Sequence, residues 1–185
     1  IDSEKMLKIV KKWDWGNSKS RNIYHDPETR KNSISFRSNL VRLADKLIQE
    51  EKFEKAEEIL DIAMENMPVE SFGFYSLLTP FISAYQKIDR DEKANSLATT
   101  LNTKYIQKLN FFKSFNLKSQ QNYSEQIFTE IERYRNLVDS SCDYNDKNGF
   151  CHILIQDFIK NTSDFSLLYS ACLLYTSDAA DDANC

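Results

Sequence analysis

Apolar residues recur at helical spacing through most of the chain, and the clearest case is the stretch 36–68. Two runs there each fall on one face of a helix: Leu40, Leu43, Ala44 and Leu47, then Ala56, Leu60, Ala63 and Met67. A polar corner at 49–52 separates the runs, and Pro68 follows the second because proline cannot continue a helix. The stretch therefore predicts a helix, a short turn and an antiparallel helix.

The same stretch resembles the tetratricopeptide repeat. The residues that match its eight characteristic positions are Leu40, Leu43, Ala44, Leu47, Ala56, Leu60, Ala63 and Pro68. Much of this spacing returns 38 residues later, although Ile82 stands where the pattern has a small residue. Further amphipathic helices are expected after Ser124 and over 150–159. We therefore predict an all-α fold in which antiparallel helical hairpins stack as a tetratricopeptide-like repeat array.

Composition narrows the classes of protein that fit. Among 185 residues there are only three glycines and three prolines, which is too few for the tight hairpins of an all-β fold and leaves no glycine-rich phosphate loop. The formal net charge is −4 with mixed signs, so the chain has no electrostatic footprint for nucleic acid. No apolar run approaches the roughly 20 residues that span a bilayer.

A basic amphipathic helix is expected at the start of the chain. Asp2 precedes apolar residues at helical spacing from Met6 to Trp13, and lysines 5, 8, 11 and 12 occupy the rest of the helix. Such a helix either lies on an anionic membrane or packs with its lysines in solvent. The short length favours the packed helix.

A long polar loop, 14–33, is predicted next, and loops of this length are often functional. Its candidate partner-contact residues are Tyr24, His25, Asp26, Glu28 and Arg30. His25 and Asp26 suggest metal ligation, but zinc needs three or four ligands at defined spacing. We instead expect Asp26-Pro27 to start a turn, Glu28 to pair with Arg30, and Tyr24 to pack under the repeat. No catalytic residue, metal ligand or cofactor-binding residue is predicted anywhere in the chain.

Two features of the C-terminal half leave alternatives open. The run 105–122 contains Phe111, Phe112 and Phe115 beside lysines, which suits either base stacking or, as the helical spacing favours, core packing. Cys142 and Cys151 flank a polar turn, 143–148, and either bridge in an oxidising compartment or remain free thiols.

Three segments together resemble the C-terminal extramembrane region of a large bacterial family similar to protein O-mannosyltransferases. They are residues 22–37, 42–81 and 131–139 (NIYHDPETRKNSISFR, RLADKLIQEEKFEKAEEILDIAMENMPVESFGFYSLLTPF and IERYRNLVD). The resemblance covers about 2–143 and weakens after Ser140. It implies the periplasmic side of the inner membrane and a parent protein that is an envelope glycosyltransferase using a lipid-linked sugar. No catalytic motif of that family falls in this chain.

The residues 172–182 (CLLYTSDAADD) resemble a translated transposon-end sequencing adapter, so we expect no function there. The predicted organisation is an N-terminal helix and loop (1–33), helical repeats (34–160), the end of the native fragment (161–171) and an adapter-derived end (172–185).

Two functions follow from these observations. The first is a non-catalytic scaffold whose partner is a protein or its own membrane domain, with membrane contact only through a part that precedes this chain. The alternative is a free-standing adaptor that binds a peptide in the concave groove of the repeats. Candidate groove residues are Asn39, Arg42 and Asp45 on the first helix of the repeat. No nucleic acid or small-molecule cofactor is expected as a partner.

Overall fold

The computed structural model describes residues 2–20, 22–142, 149–166 and 168. These residues are mainly helical and contain no strand, which confirms the all-α prediction. No helix in this part of the chain combines the length and apolar character needed to cross a bilayer. The chain divides into an N-terminal unit, 1–97, and a C-terminal unit, 98–185.

The N-terminal unit is built on one long helical hairpin. Its elements are α1 (Ser3–Val10), α2 (Pro27–Gln49), α3 (Phe53–Asn66), the short α4 (Val69–Phe72), a 3₁₀ turn (Tyr75–Leu77), α5 (Thr79–Lys87) and the start of α6 (Asp91–Lys113). The helices α1, α3, α4 and α5 all pack against α2. Helix α2 is therefore the element around which the unit is assembled.

The predicted hairpin of α2 and α3 is confirmed. All eight apolar residues that predicted it are at most 2% exposed: Leu40, Leu43, Ala44, Leu47, Ala56, Leu60, Ala63 and Met67. The two helices differ in length, however, because α2 has 23 residues and α3 has 14. At 1.5 Å per residue, α2 extends about 13 Å beyond the end of α3. The first nine residues of α2 therefore lack α3 as a neighbour.

The turns after α2 and after α5 have the same backbone structure, 38 residues apart. Glu51 and Asp89 both adopt φ of 57°, in the left-handed region. The amide of Lys52 donates to the carbonyl of Leu47 at 2.9 Å, and in the second turn Arg90 donates to Tyr85 at the same distance. The repeat in the sequence is thus accompanied by a repeat of the turn geometry.

Near the N-terminus, two helix boundaries differ from the sequence-based expectation. Helix α1 ends at Val10 and buries Leu7, whereas Ile9 is 40% exposed. Helix α2 begins at Pro27, inside the segment expected to be a loop to residue 33. The loop prediction was wrong for residues 27–33, because aspartate followed by proline is a helix start, whereas the described residues of 14–26 are not helical. The Asp26 carboxylate accepts the amides of Glu28 and Thr29 at 2.9 and 3.1 Å.

The C-terminal unit contains the second part of α6, then α7 (Leu117–Asn122), α8 (Ser124–Cys142), α9 (Phe150–Thr162) and a 3₁₀ turn (Ser163–Phe165). Helix α8 is the amphipathic helix expected after Ser124, and its apolar face is buried: Ile127, Ile131, Tyr134 and Val138. Tyr134 stacks on Tyr105 with ring centroids 5.1 Å apart. Its hydroxyl donates to Asn102, whose amide donates to Asp157 at 2.7 Å. Burial raises the pKa of Tyr134 well above its usual range.

A disulfide joins Cys142 at the end of α8 to Cys151 at the start of α9. The sequence left open whether these cysteines are bridged or free, and the structure contains the bridge. Gly149, which precedes α9, adopts a φ of +69°, a left-handed conformation that glycine adopts without steric cost. The polar turn 143–148 and the adapter-like residues 172–182 lie outside the described residues, so both remain predictions.

Candidate functional site

A cavity of about 470 Å³ lies against the part of α2 that extends beyond α3. Its walls come from the segment between α1 and α2, from the first turns of α2 and from the α3–α4 connection. The lining residues are Trp13, Asp14, Trp15, Ser18, His25, Thr29, Asn32, Ser33, Phe36, Met67 and Phe72. All of them belong to the N-terminal unit. The unequal lengths of the hairpin helices thus create the site.

Three aromatic rings form one wall. The ring of Trp13 lies 5.5 Å from that of Trp15 and 5.6 Å from that of Phe36, in edge-to-face arrangements. Helix α1 brings the tryptophans to this position because Ser3 donates to Glu50 near the turn and Lys11 pairs with Glu58 further along the hairpin. This wall is apolar and is fixed by ring-to-ring contacts.

His25 forms part of a second wall together with Phe72. The two ring centroids are 4.2 Å apart, and His25 is 9% exposed. The His25 Nε2 atom lies 2.9 Å from the carbonyl oxygen of Ser18, and since a carbonyl only accepts, Nε2 is the protonated nitrogen. The Ser18 hydroxyl in turn donates to the carbonyl of Asn66 at the end of α3. Ser18 therefore connects the segment between α1 and α2 both to His25 and to the end of α3.

Arg37 anchors the segment that supplies Met67 and Phe72. Its side chain is 1% exposed, and its two terminal nitrogens donate to the carbonyls of Met67 and Gly73 at 2.6 and 2.7 Å. Burial lowers the pKa of Arg37 to about 10. Among the described residues no carboxylate pairs with it, and its Nε has no hydrogen-bond partner. The cation is stabilised by backbone dipoles and by the Phe72 ring 6.0 Å away.

The floor of the cavity is one face of α2. Thr29, Asn32, Ser33 and Phe36 follow one another at helical spacing and continue the stripe that packs against α3. Thr29 and Asn32 are exposed at the rim, whereas Ser33 is buried and donates to the carbonyl of Arg30. The polar groups at the rim are therefore those of Asn32 and of Thr29, whose hydroxyl donates to Asp26 at 2.6 Å, and the Phe36 ring beside them is 44% exposed.

The candidate residues of the 24–30 segment have different environments. His25 lines the cavity, and Asp26 caps α2, where hydrogen bonds from Thr29 and Glu28 lower the pKa of its carboxyl group. Tyr24 is 83% exposed, so its predicted packing under the repeat was wrong. Arg30 donates to the carbonyl of Phe72 rather than pairing with Glu28, which is exposed. The local pair does not form because Arg30 faces the Phe72–Gly73 backbone.

The candidate groove residues lie on the later turns of α2, outside the cavity lining. Asn39 and Arg42 are exposed, and Asp45 pairs with Lys87 of α5 at 3.4 Å. The structure does not bring these three together with His25 at one site. In the described part of the chain, no group of three or more histidine, cysteine, aspartate or glutamate side chains is placed to hold a metal ion.

Sequence reasoning missed Trp13, Trp15 and Arg37. The chain has only two tryptophans, and both line the cavity, so their position two residues apart after α1 was the available signal. Arg37 lies in the apolar stripe of α2, three residues before Leu40 and four after Ser33. A charged residue in such a stripe is a sign of a buried, hydrogen-bonded role.

No protein-family model, curated protein or solved structure matches this chain. The resemblance to the mannosyltransferase-like family and the adapter resemblance therefore remain hypotheses. The chemistry of the cavity is the direct guide to function.

Proposed function

We propose that this chain is a non-catalytic helical binding module whose N-terminal cavity receives an apolar side chain of a protein partner. The observation that carries the proposal is the cavity itself, with Trp13, Trp15 and Phe36 on one wall and polar residues at the rim. The half-exposed rings of Trp13, Trp15 and Phe36 favour an apolar side chain, and the rim groups of Thr29 and Asn32 suit the backbone of a peptide.

The two titratable residues of the cavity make hydrogen bonds within the segment that precedes α2. Asp14 accepts the amide of Gly16 at 2.8 Å, and His25 donates to the carbonyl of Ser18. Both side chains therefore help to shape the loop that forms the wall.

At a broader level, we propose that the module is the extramembrane accessory region of an envelope glycosyltransferase similar to protein O-mannosyltransferases, on the periplasmic side. The family-like segments of the sequence suggest this, and the Cys142–Cys151 disulfide is compatible with an oxidising compartment. We also propose that the hairpins are tetratricopeptide-like tandem repeats, which the matching turns at Glu51 and Asp89 support. A free-standing adaptor would use the same cavity.

Peptide selection tests the binding proposal. The full chain and two variants, Asn32→Phe and Asn39→Phe, are each used to select from a displayed library of random dodecapeptides. Both positions are exposed on α2, but only Asn32 lines the cavity, so the new ring obstructs the cavity in one variant alone. We expect peptides with a common apolar residue to bind the wild type and Asn39→Phe at least about tenfold more tightly than Asn32→Phe.

Two results would contradict the proposal. Selected peptides that bind Asn32→Phe as well as the wild type would place the binding site elsewhere. Binding of a simple saccharide such as methyl mannoside, detected by the fluorescence of Trp13 and Trp15 in the absence of any peptide binding, would make the cavity a sugar site.

A further inference from the structure

A different surface lies in the C-terminal unit, at the bend where α6 ends and α7 begins. We call it the basic aromatic elbow and define it by Lys108, Phe111, Phe115, Leu117, Lys118 and Tyr123. Three of its apolar residues are unusually exposed: Phe111 at 53%, Leu117 at 57% and Tyr123 at 42%. These side chains form no part of the binding proposal for the N-terminal unit.

The exposed rings belong to one connected cluster. Phe115 lies 4.8 Å from Phe111 and 5.5 Å from Tyr123, measured between ring centroids. Phe112, which is 1% exposed, contacts all three rings at 5.6 to 6.3 Å and anchors the cluster in the core. The rings are therefore presented at fixed positions rather than on free side chains.

Side-chain hydrogen bonds fix the backbone of the elbow as well. The Gln120 amide donates to the carbonyls of Phe115 and Phe112 at 3.1 and 3.3 Å, which satisfies groups at the end of α6. Asn116 caps α7 by accepting the amide of Ser119 at 2.9 Å. The surface needs little ordering when it meets a partner.

The segment that contains the elbow has a positive net charge, whereas the whole chain has a negative one. Residues 98–124 contain four lysines and no aspartate or glutamate, although the full sequence has 28 acidic and 24 basic residues. Lys113 pairs with Asp164 at 2.9 Å. Lys108 and Lys118 have no ion pair with any carboxylate of the described residues. The charges of these two lysines, beside the exposed rings, are thus not neutralised by a carboxylate of the described residues.

From this combination we infer that the basic aromatic elbow docks on the surface of an anionic phospholipid membrane. Half-exposed phenylalanine, leucine and tyrosine side chains suit the boundary between headgroups and acyl chains, and lysines suit the phosphate groups. Stacking of a nucleic-acid base on Phe111 is disfavoured because it needs an open ring face. The Lys108 ammonium lies over the Phe111 and Phe112 rings, 5.5 and 5.0 Å from their centroids.

Vesicle co-sedimentation tests the inference with the full chain. The probes are vesicles of phosphatidylcholine alone and of phosphatidylcholine with phosphatidylglycerol. We expect binding to the anionic vesicles that weakens as salt is added. The double variant Lys108→Glu/Lys118→Glu should lose at least about tenfold in partitioning, because each basic residue near the surface contributes about fivefold. Phe111→Ala and Leu117→Ala should each weaken binding without changing its salt dependence.

Matched changes on the first helix provide the control. Lys8 and Lys12 are exposed on or just after α1, and Ile9 is exposed there too, so Lys8→Glu/Lys12→Glu and Ile9→Ala repeat the same chemistry elsewhere. Both should bind like the wild type. Equal binding to neutral and anionic vesicles, or loss only in the α1 variants, would overturn the inference. So would binding of oligothymidylate without binding of either vesicle.

Discussion

The two units of this protein stabilise the ends of their helices in different ways. In the N-terminal unit, the end of the long hairpin helix is enclosed by polypeptide segments that side-chain-to-backbone hydrogen bonds hold in place, and a cavity remains between them. In the C-terminal unit, a disulfide ties α8 to α9, and stacked tyrosines fill the interior. Side-chain hydrogen bonds to backbone carbonyls can thus fix a segment without packing it tightly against the core. A binding cavity needs such a gap between fixed segments.

The largest effect is expected at Arg37. Arg37→Met removes two charge-assisted hydrogen bonds and leaves the buried carbonyls of Met67 and Gly73 without their donor. We expect a loss of about 3 kcal/mol in the free energy of unfolding. Urea denaturation followed by tryptophan fluorescence measures it, since both tryptophans lie in this unit. The control is Arg42→Met on the exposed surface of α2. Equal stability of the two variants would show that the arginine anchor is unimportant.

Loss of the disulfide should lower the stability of the C-terminal unit alone. Replacement of both Cys142 and Cys151 by serine releases a small loop, and we expect a loss of about 2.5 kcal/mol from the free energy of unfolding of that unit. Far-UV circular dichroism should report the loss, while the tryptophan-detected midpoint stays unchanged. An equal shift in both signals would contradict this expectation, because it would mean that the two units unfold together.

A change at the close contact of the hairpin should have an intermediate effect. Ala56 is fully buried on α3, so Ala56→Leu overpacks the hairpin at a cost of about 1–3 kcal/mol. Asn39 is exposed on α2, and Asn39→Ala should leave the melting temperature unchanged. An unchanged melting temperature for Ala56→Leu would contradict the packing register. An unfolded Asn39→Ala variant would show that this residue belongs to the core.

The smallest effect is expected at the two matching turns. Glu51 and Asp89 are exposed and left-handed, a conformation that glycine adopts without steric cost. Glu51→Gly and Asp89→Gly should each raise the free energy of unfolding by about 0.5–1 kcal/mol. Thermal denaturation of the single variants and of the double variant measures this. Opposite signs at the two positions would show that the turns are not equivalent.

Much of the fold could be predicted from the sequence because local periodicity determines it. The stripe from Leu40 to Met67 specified the hairpin, and the stripe of Ile127, Ile131 and Tyr134 specified α8. The cavity could not be predicted, since it depends on how far α2 extends beyond α3. That length was hidden by the missed helix start at Asp26-Pro27.

The lining residues of the cavity were predicted only in part, for a related reason. His25 was singled out, but its neighbours Tyr24 and Glu28 point into solvent, and adjacency in sequence does not reveal which side chain turns inward. Arg37 was missed because arginines are usually exposed. Its burial depends on carbonyls 30 and 36 residues away along the chain.

The central claim is that the cavity beside Trp13 and Trp15 binds an apolar side chain of a peptide. The most direct measurement is a titration of the full chain with a selected peptide, followed by the two indole N–H signals in a ¹⁵N–¹H NMR spectrum, assigned with a Trp13→Phe variant. The account predicts that both signals shift and saturate in the wild type and in Asn39→Phe, and that they stay fixed in Asn32→Phe. Saturable binding that shifts other signals while both indole signals of the wild type remain unmoved would contradict it.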